Sequence, residues 1–150
     1  MLQEKLMVDL KVAMKGGDKL RRSVIRLVRA GIKNAEIAQQ KTLDDAGVIS
    51  VISKEVKQHR ESIAEFKKGN RPDLVAKEEA ELAVLLEYLP KQLSRDEIVA
   101  AARQVIKEVD AQGPKDKGGV MQKLMPQLKG SAEGRVVNDV VTELLSGTIS

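Results

Sequence analysis

The sequence predicts an all-α protein in two parts: an N-terminal bundle of about four helices, followed by a small three-helix C-terminal domain. Three observations carry this fold class. Apolar residues recur at spacings of three and four along nearly the whole chain, the period of a helix with one buried face. Phe66 and Tyr88 are the only aromatic residues and Trp is absent. The core must therefore come from Leu, Ile, Val, Ala and Met, which suits packed helices better than sheets built on aromatic and β-branched pairs. Finally, no strand alternation competes and no internal repeat is present.

The elements follow in order. Leu2, Leu6 and Leu10 recur every four residues and mark a short first helix, ended by Gly16 and Gly17. Asp18 caps a second helix running to about Gln39, with Leu20, Val24, Leu27, Val28 and Ile32 on its inner face. The segment KTLDDAGV reads as a connector. Ile49, Ile52, Val56, His59, Ile63 and Phe66 then form an a/d seam that Gly69 closes. Pro72 starts the next helix at its first position. Val75, Leu82, Leu85, Leu86 and Leu89 face inward there, and Glu78, Glu79, Glu81 and Glu87 make an acidic outer face.

Pro90 ends that helix, and YLPKQLS marks the boundary between a domain over residues 1–90 and a tail domain over residues 94–150. Ser94 and Glu97 have the spacing of a capping box and open a helix. Ile98, Ala102, Val105 and Val109 lie on its buried side before AQGP breaks it. A short helix follows from Lys117 to Met125, ended or kinked by Pro126. Ser131 caps a last helix through Leu145, packed by Val137, Val140, Val141 and Leu144.

Composition excludes several function classes. The chain of 150 residues has no cysteine and one histidine, so disulfides, thiolate catalysis, thiolate metal sites and multi-histidine metal sites are out. No apolar run approaches the ~20 residues that span a bilayer. The N-terminal MLQEKLMVDLK mixes charge into its apolar positions, unlike a signal peptide. These features predict a soluble cytoplasmic protein with no membrane partner.

Charge is distributed unevenly. Residues 1–93 hold 18 basic and 14 acidic side chains, whereas residues 94–150 hold 8 of each. Residues 11–33 alone carry eight basic groups against the single Asp18. Within them Arg22, Arg26, Arg29 and Lys33, at spacings of 4, 3 and 4, share one helical face as a basic stripe. Most solvated faces mix both signs; a nearly pure positive one sets up a field that favours an anionic partner, and a phosphate backbone is the commonest.

A second candidate is KDKGGVMQKLMPQLKGSAEG. Its glycines fall near helix ends, where turn and cap chemistry accounts for most of them. A helix start lined by glycine also exposes free N–H groups at the positive end of the dipole, an anion site. Lys117, Gly118, Gly119, Lys123, Lys129, Gly130 and Arg135 are the residues that would contact RNA in this stretch. No catalytic or metal-ligating set and no cofactor is predicted. His59 reads as a histidine hydrogen-bonded within a helix interface, and the neighbours Glu78 and Glu79 diverge by roughly 100° on a helix and cannot share a ligand.

GGVMQKLMPQLKGSAEGRVVNDVVTELL resembles the C-terminal tail module of the GatB/YqeY family. Upstream, RRSVIRLVRAGIKNAEI and KEVKQHRESIAEFKKGNRPDLVAKEEAELAVLLEYLPKQLS are similar to the free-standing YqeY-like proteins, so the likeness covers nearly the whole chain. Two positions depart from the family pattern: its Met-Gly is Met121–Gln122 here, and its Ala-Asp is Ala132–Glu133. The resemblance implies a two-domain helical protein. It also implies kinship with the tail of the B subunit of the glutamine-dependent tRNA amidotransferase, a carbon–nitrogen ligase with glutamine as amide donor, where the tail helps hold tRNA. No counterpart of that subunit's catalytic body is recognisable, so the expectation is a non-catalytic tRNA-binding accessory module, with no activity of its own. The alternative is a protein-interaction module that docks on an aminoacyl-tRNA synthetase or amidotransferase subunit.

Overall fold

A computed structural model of the chain describes residues 1–149. Among these residues there are seven α-helices, one 3-10 turn and no strand. The all-α expectation therefore stands. The chain divides into two compact units, Met1–Pro90 and a second from Lys91 onward.

The first unit holds α1 (Leu2–Gly16), α2 (Lys19–Gln39), α3 (Asp45–Lys68) and α4 (Pro72–Leu86). Gly17 closes α1 with φ 72°, a left-handed conformation that glycine adopts without strain. Asp18 starts α2 by accepting a 3.0 Å hydrogen bond from the backbone N–H of Arg21. Asp44 does the same for α3 through the N–H of Gly47, so the helix begins inside the expected connector. Leu6, Leu10, Val24, Ile25, Val28, Ile32, Leu43, Val48, Ile52, Val56, Val84, Leu85 and Tyr88 make one core. Gly31 permits close approach of α2 to α3: a Cβ there would sit 3.0 Å from Val51 Cγ1.

Two inner faces differ from expectation. On α2 the buried arc is Val24, Ile25, Val28 and Ile32, while Leu20 and Leu27 are 38% and 43% exposed. The helix is rotated toward Ile25: α1, α3 and α4 all pack on α2 and bury an arc that Leu27 does not share. On α3 the seam is Val48, Ile52, Val56, His59 and Ile63, with Ile49 and Phe66 half-buried at its edge.

The second unit holds α5 (Arg95–Glu108), the 3-10 turn (Pro114–Asp116), α6 (Lys117–Leu128) and α7 (Gly134–Ser146). Ser94 and Glu97 form the capping box in both directions: the Glu97 N–H donates to Ser94 Oγ, and the Ser94 N–H donates to the Glu97 carboxylate. Ile98, Ala102, Val105, Val120, Leu124, Leu128, Val137, Val140 and Val141 are the core. Val109 is not on the buried side; it lies at the end of α5 and is 39% exposed.

Pro126 does not end α6, which runs on to Leu128. A proline this close to a helix end removes one N–H bond but leaves only a short run beyond it to disrupt. Nor does Ser131 cap the last helix. Glu133 occupies that position with no side-chain cap bond, and the backbone of Ser131 instead accepts from the Leu93 N–H. That bond ties the α6–α7 turn to the segment leading into α5.

Candidate nucleic-acid interface

The second helix positions the basic stripe. Its hydrophobic arc commits one side to the core, and at 100° per residue Arg22, Arg26, Arg29 and Lys33 fall together on the adjoining arc. Arg26, Arg29 and Lys33 are exposed and Arg22 is half-buried. Among the described residues none of the four takes part in an ion pair. Their neighbour Arg21 contrasts with them: its guanidinium reaches Asp18 at 3.6 Å and Glu87 at 2.8 Å. The Glu87 hydrogen bond raises the pKa of Arg21 further, so that charge is internally satisfied. The stripe is thus four uncompensated cations along ~16 Å of helix.

Its far end is bounded by an acid. Gln3, Arg29, Lys33 and Glu36 line a cleft of about 380 Å³ between α1 and α2. Glu36 accepts from the Leu43 N–H at 2.8 Å and from Gln3 Nε2 at 3.1 Å. Those two bonds, the backbone one first, hold its pKa below the ordinary carboxylate value. Glu36 is therefore engaged in fixing the α2–α3 connection.

The glycine-rich stretch is arranged otherwise. Gly118 and Gly119 lie in the first turn of α6, exposed, with open space where a Cβ would stand. Lys117 precedes them, half-buried, at the first position of that helix. Lys129 and Gly130 sit at the opposite end of α6, ~18 Å away for a helix of this length, and Arg135 lies in the first turn of α7. The residues named together from sequence therefore form two sites, one at each end of α6. Lys123, midway, is bound to Glu108 at 2.7 Å. Gly130 has φ 81° and is buried, and its carbonyl accepts from Gln92 Nε2 at 2.7 Å. Its glycine serves a turn. Asp116 and Glu133 stand at the two helix starts, and acids there oppose phosphate.

Sequence reasoning also misplaced two carboxylates. Glu78 and Glu81, expected on a wet outer face, have side chains only 20% and 16% exposed and converge on His59 across the α3–α4 pair. Their i, i+3 spacing was the available signal. A further feature is apolar: Met7, Val8, Val12 and Met14 of α1 are 37–64% exposed. Among the described residues no helix is long and apolar enough to cross a membrane.

Comparison with known proteins places these features in context. The family model described as "Yqey-like protein" matches residues 3–145. A protein of Lachancea thermotolerans named "Altered inheritance of mitochondria protein 41, mitochondrial" is 41% identical over 109 residues, which cover 71% of this chain and 58% of the relative. The protein of the same name in Pyrenophora tritici-repentis is 35% identical over 133 residues, covering 85% and 71%. In Kluyveromyces lactis the figures are 41% over 110 residues, covering 71% and 59%. The chain spans less than two thirds of the first and third of these relatives. These relatives are named as mitochondrial proteins, which corrects the cytoplasmic expectation; that expectation rested on the lack of a long apolar run and on the composition of MLQEKLMVDLK. In the fold that segment lies mostly in α1, with Leu6 and Leu10 buried. Its composition reports helix packing and carries no information about compartment.

Proposed function

The chain belongs to the Yqey-like protein family, and from that premise we propose that it is a non-catalytic accessory protein that binds structured RNA of the tRNA class through α2. The observation that carries the reading is the stripe: Arg22, Arg26, Arg29 and Lys33 share one face and lack any internal counter-charge among the described residues. Arginine's planar fork matches phosphate oxygens in pairs, and an exposed row of such groups gains affinity by releasing counterions from a nucleic acid.

Stacking on bases contributes little, because Tyr88 is buried and Phe66 half-buried. Recognition rests on phosphates and on the shape of a folded RNA. The likeness of GGVMQKLMPQLKGSAEGRVV to the amidotransferase tail favours tRNA as that RNA, and on this reading the ligase label describes ancestry. A second reading has its own support. The exposed Met7, Val8, Val12 and Met14 of α1 suit a protein-interaction module that docks on a synthetase or amidotransferase subunit.

The experiment is a salt series of the full chain binding a tRNA transcript. Four phosphate contacts give a slope of log affinity against log salt of about −3 to −3.6. Absence of RNA binding at low salt sinks the RNA reading and leaves protein docking in its place.

A further inference from the structure

Three mostly buried carboxylates surround the only histidine of the chain. His59 on α3 is 6% exposed. Its Nδ1 lies 2.8 Å from the Glu55 carbonyl oxygen, and since a carbonyl only accepts, Nδ1 carries the proton and donates. That leaves Nε2 to face α4, where the nearest atoms with charge are Glu78 Oε2 at 3.5 Å and Glu81 Oε1 at 3.6 Å. Glu55 adds a carboxylate oxygen 4.0 Å from Nδ1.

This arrangement lacks a positive partner. Both Nε2–oxygen separations exceed the roughly 2.7–3.2 Å of a hydrogen bond. Among the described residues no lysine or arginine pairs with Glu55, Glu78 or Glu81. A neutral imidazole would point a bare lone pair at two anions, and a protonated one would still leave an excess of negative charge in a poorly solvated place.

A metal ion resolves both difficulties. We propose that His59, Glu78 and Glu81 form a binding site for a divalent transition-metal ion of the zinc class, clamping α3 to α4 through one imidazole nitrogen and two carboxylate oxygens. The donor atoms lie within 4.8 Å of one another. With metal–ligand bonds of about 2.1 Å, separations of 3.5 and 3.6 Å correspond to angles of roughly 113–118° at the ion, close to tetrahedral. Rotation about the soft terminal carboxylate torsions lets the two oxygens adjust to a common ion. The Nδ1–H bond to a backbone carbonyl is the outer-shell contact that orients a metal-binding histidine. Imidazole with carboxylate suits zinc better than calcium or magnesium, which take oxygen donors alone. The fourth position is left to water.

The test uses the full chain, freed of metal by dialysis against a chelator, then titrated with Zn²⁺ or Co²⁺. One equivalent should bind, raise the melting temperature and give Co²⁺ the intense visible bands of a low-coordinate ion. Glu78→Gln and Glu81→Gln should each weaken binding by at least about tenfold, the lower end of what losing even an outer-shell partner costs. Glu79→Gln, on the exposed side of α4, should leave it unchanged. Where a variant fails to fold, the wild-type protein decides alone: the His59 ring nitrogen resonances must shift on adding Zn²⁺. No stoichiometric binding, binding indifferent to both glutamine variants, or an unmoved His59 ring at saturating Zn²⁺ overturns the site.

Discussion

The two cationic regions of this protein, the α2 stripe and the α6–α7 stretch, are alike in sequence and unlike in structure. Both concentrate lysine and arginine, and both looked able to meet phosphate. In the stripe the four side chains share one face and none is paired among the described residues. In the stretch Lys123 is bound to Glu108, acids stand at both helix starts, and Gly130 serves a turn. On the proposed reading, positive charge marks a site only where local counter-charge is missing. The effective field depends on what the fold places next to each cation.

The largest effect should come from disrupting the fold beneath one of the two regions. Leu124 is fully buried at the centre of the second core. Leu124→Ala should cost ~2–5 kcal/mol through lost transfer energy and a cavity, measurable by denaturant unfolding. If the stripe carries RNA contact, affinity measured where the first unit stays folded should survive. Loss of RNA binding with α2 intact would move the contact to the stretch.

Next in size is removal of charge from the stripe. Arg26→Gln together with Arg29→Gln should lower affinity for unrelated RNA sequences alike and reduce the salt slope by up to about two units. Both side chains are exposed, so the fold should lose less than about 0.5 kcal/mol per change. An unaltered slope would show that the stripe is only a solvated face.

Why one region could be read and the other only in part is visible in particular residues. Helix order and fold class were legible because glycine, proline and cap residues punctuate the chain at Gly17, Asp18, Pro72 and Ser94. The spacing of Arg22, Arg26, Arg29 and Lys33 sufficed to put them on one face. What sequence could not fix was rotation. Val24 and Val28 belong equally to an arc with Leu20 and Leu27 and to one with Ile25 and Ile32, and packing by the other three helices of the first unit selects the second. Pairing across helices was equally hidden. Nothing local to Glu78 and Glu81 reports that His59 faces them, or that Glu108 meets Lys123.

A smaller effect sharpens the account of how the second unit is held. Ser94→Ala removes half of the capping box at α5 and should cost ~1 kcal/mol without changing charge. The box also sets a pH dependence. The Ser94 backbone N–H holds the Glu97 pKa below its ordinary value of 4.5, so the folded state favours the ionised carboxylate. That contribution is present above the ordinary pKa and fades as pH falls through it toward the lower folded value. Because alanine keeps that N–H, Ser94→Ala should leave most of this acid limb, whereas Glu97→Gln, which removes the titrating carboxylate, should flatten it in unfolding measured from neutral pH downward. A limb unchanged by Glu97→Gln would mean that this carboxylate contributes nothing to stability there.

The smallest expected effect belongs to the stretch itself. Lys117→Gln with Lys129→Gln removes one cation at each end of α6. Each is close in sequence to an acid, Asp116 in one case and Glu133 in the other, and the two lie too far apart to grip a single phosphate. Their joint loss should leave the RNA affinity nearly unchanged and the salt slope within measurement error of the parent. Lys117 sits at the positive end of the α6 dipole, where a cation is unfavourable, and Lys129 at the negative end, where one is favourable, so the two losses offset and stability should hold. The opposite outcome carries the most information. A slope reduced by one or two units would mean that at least one end of α6 admits phosphate despite the acids at the two helix starts. The stripe and the stretch would then be equal partners, and local counter-charge would no longer be the criterion that separates them.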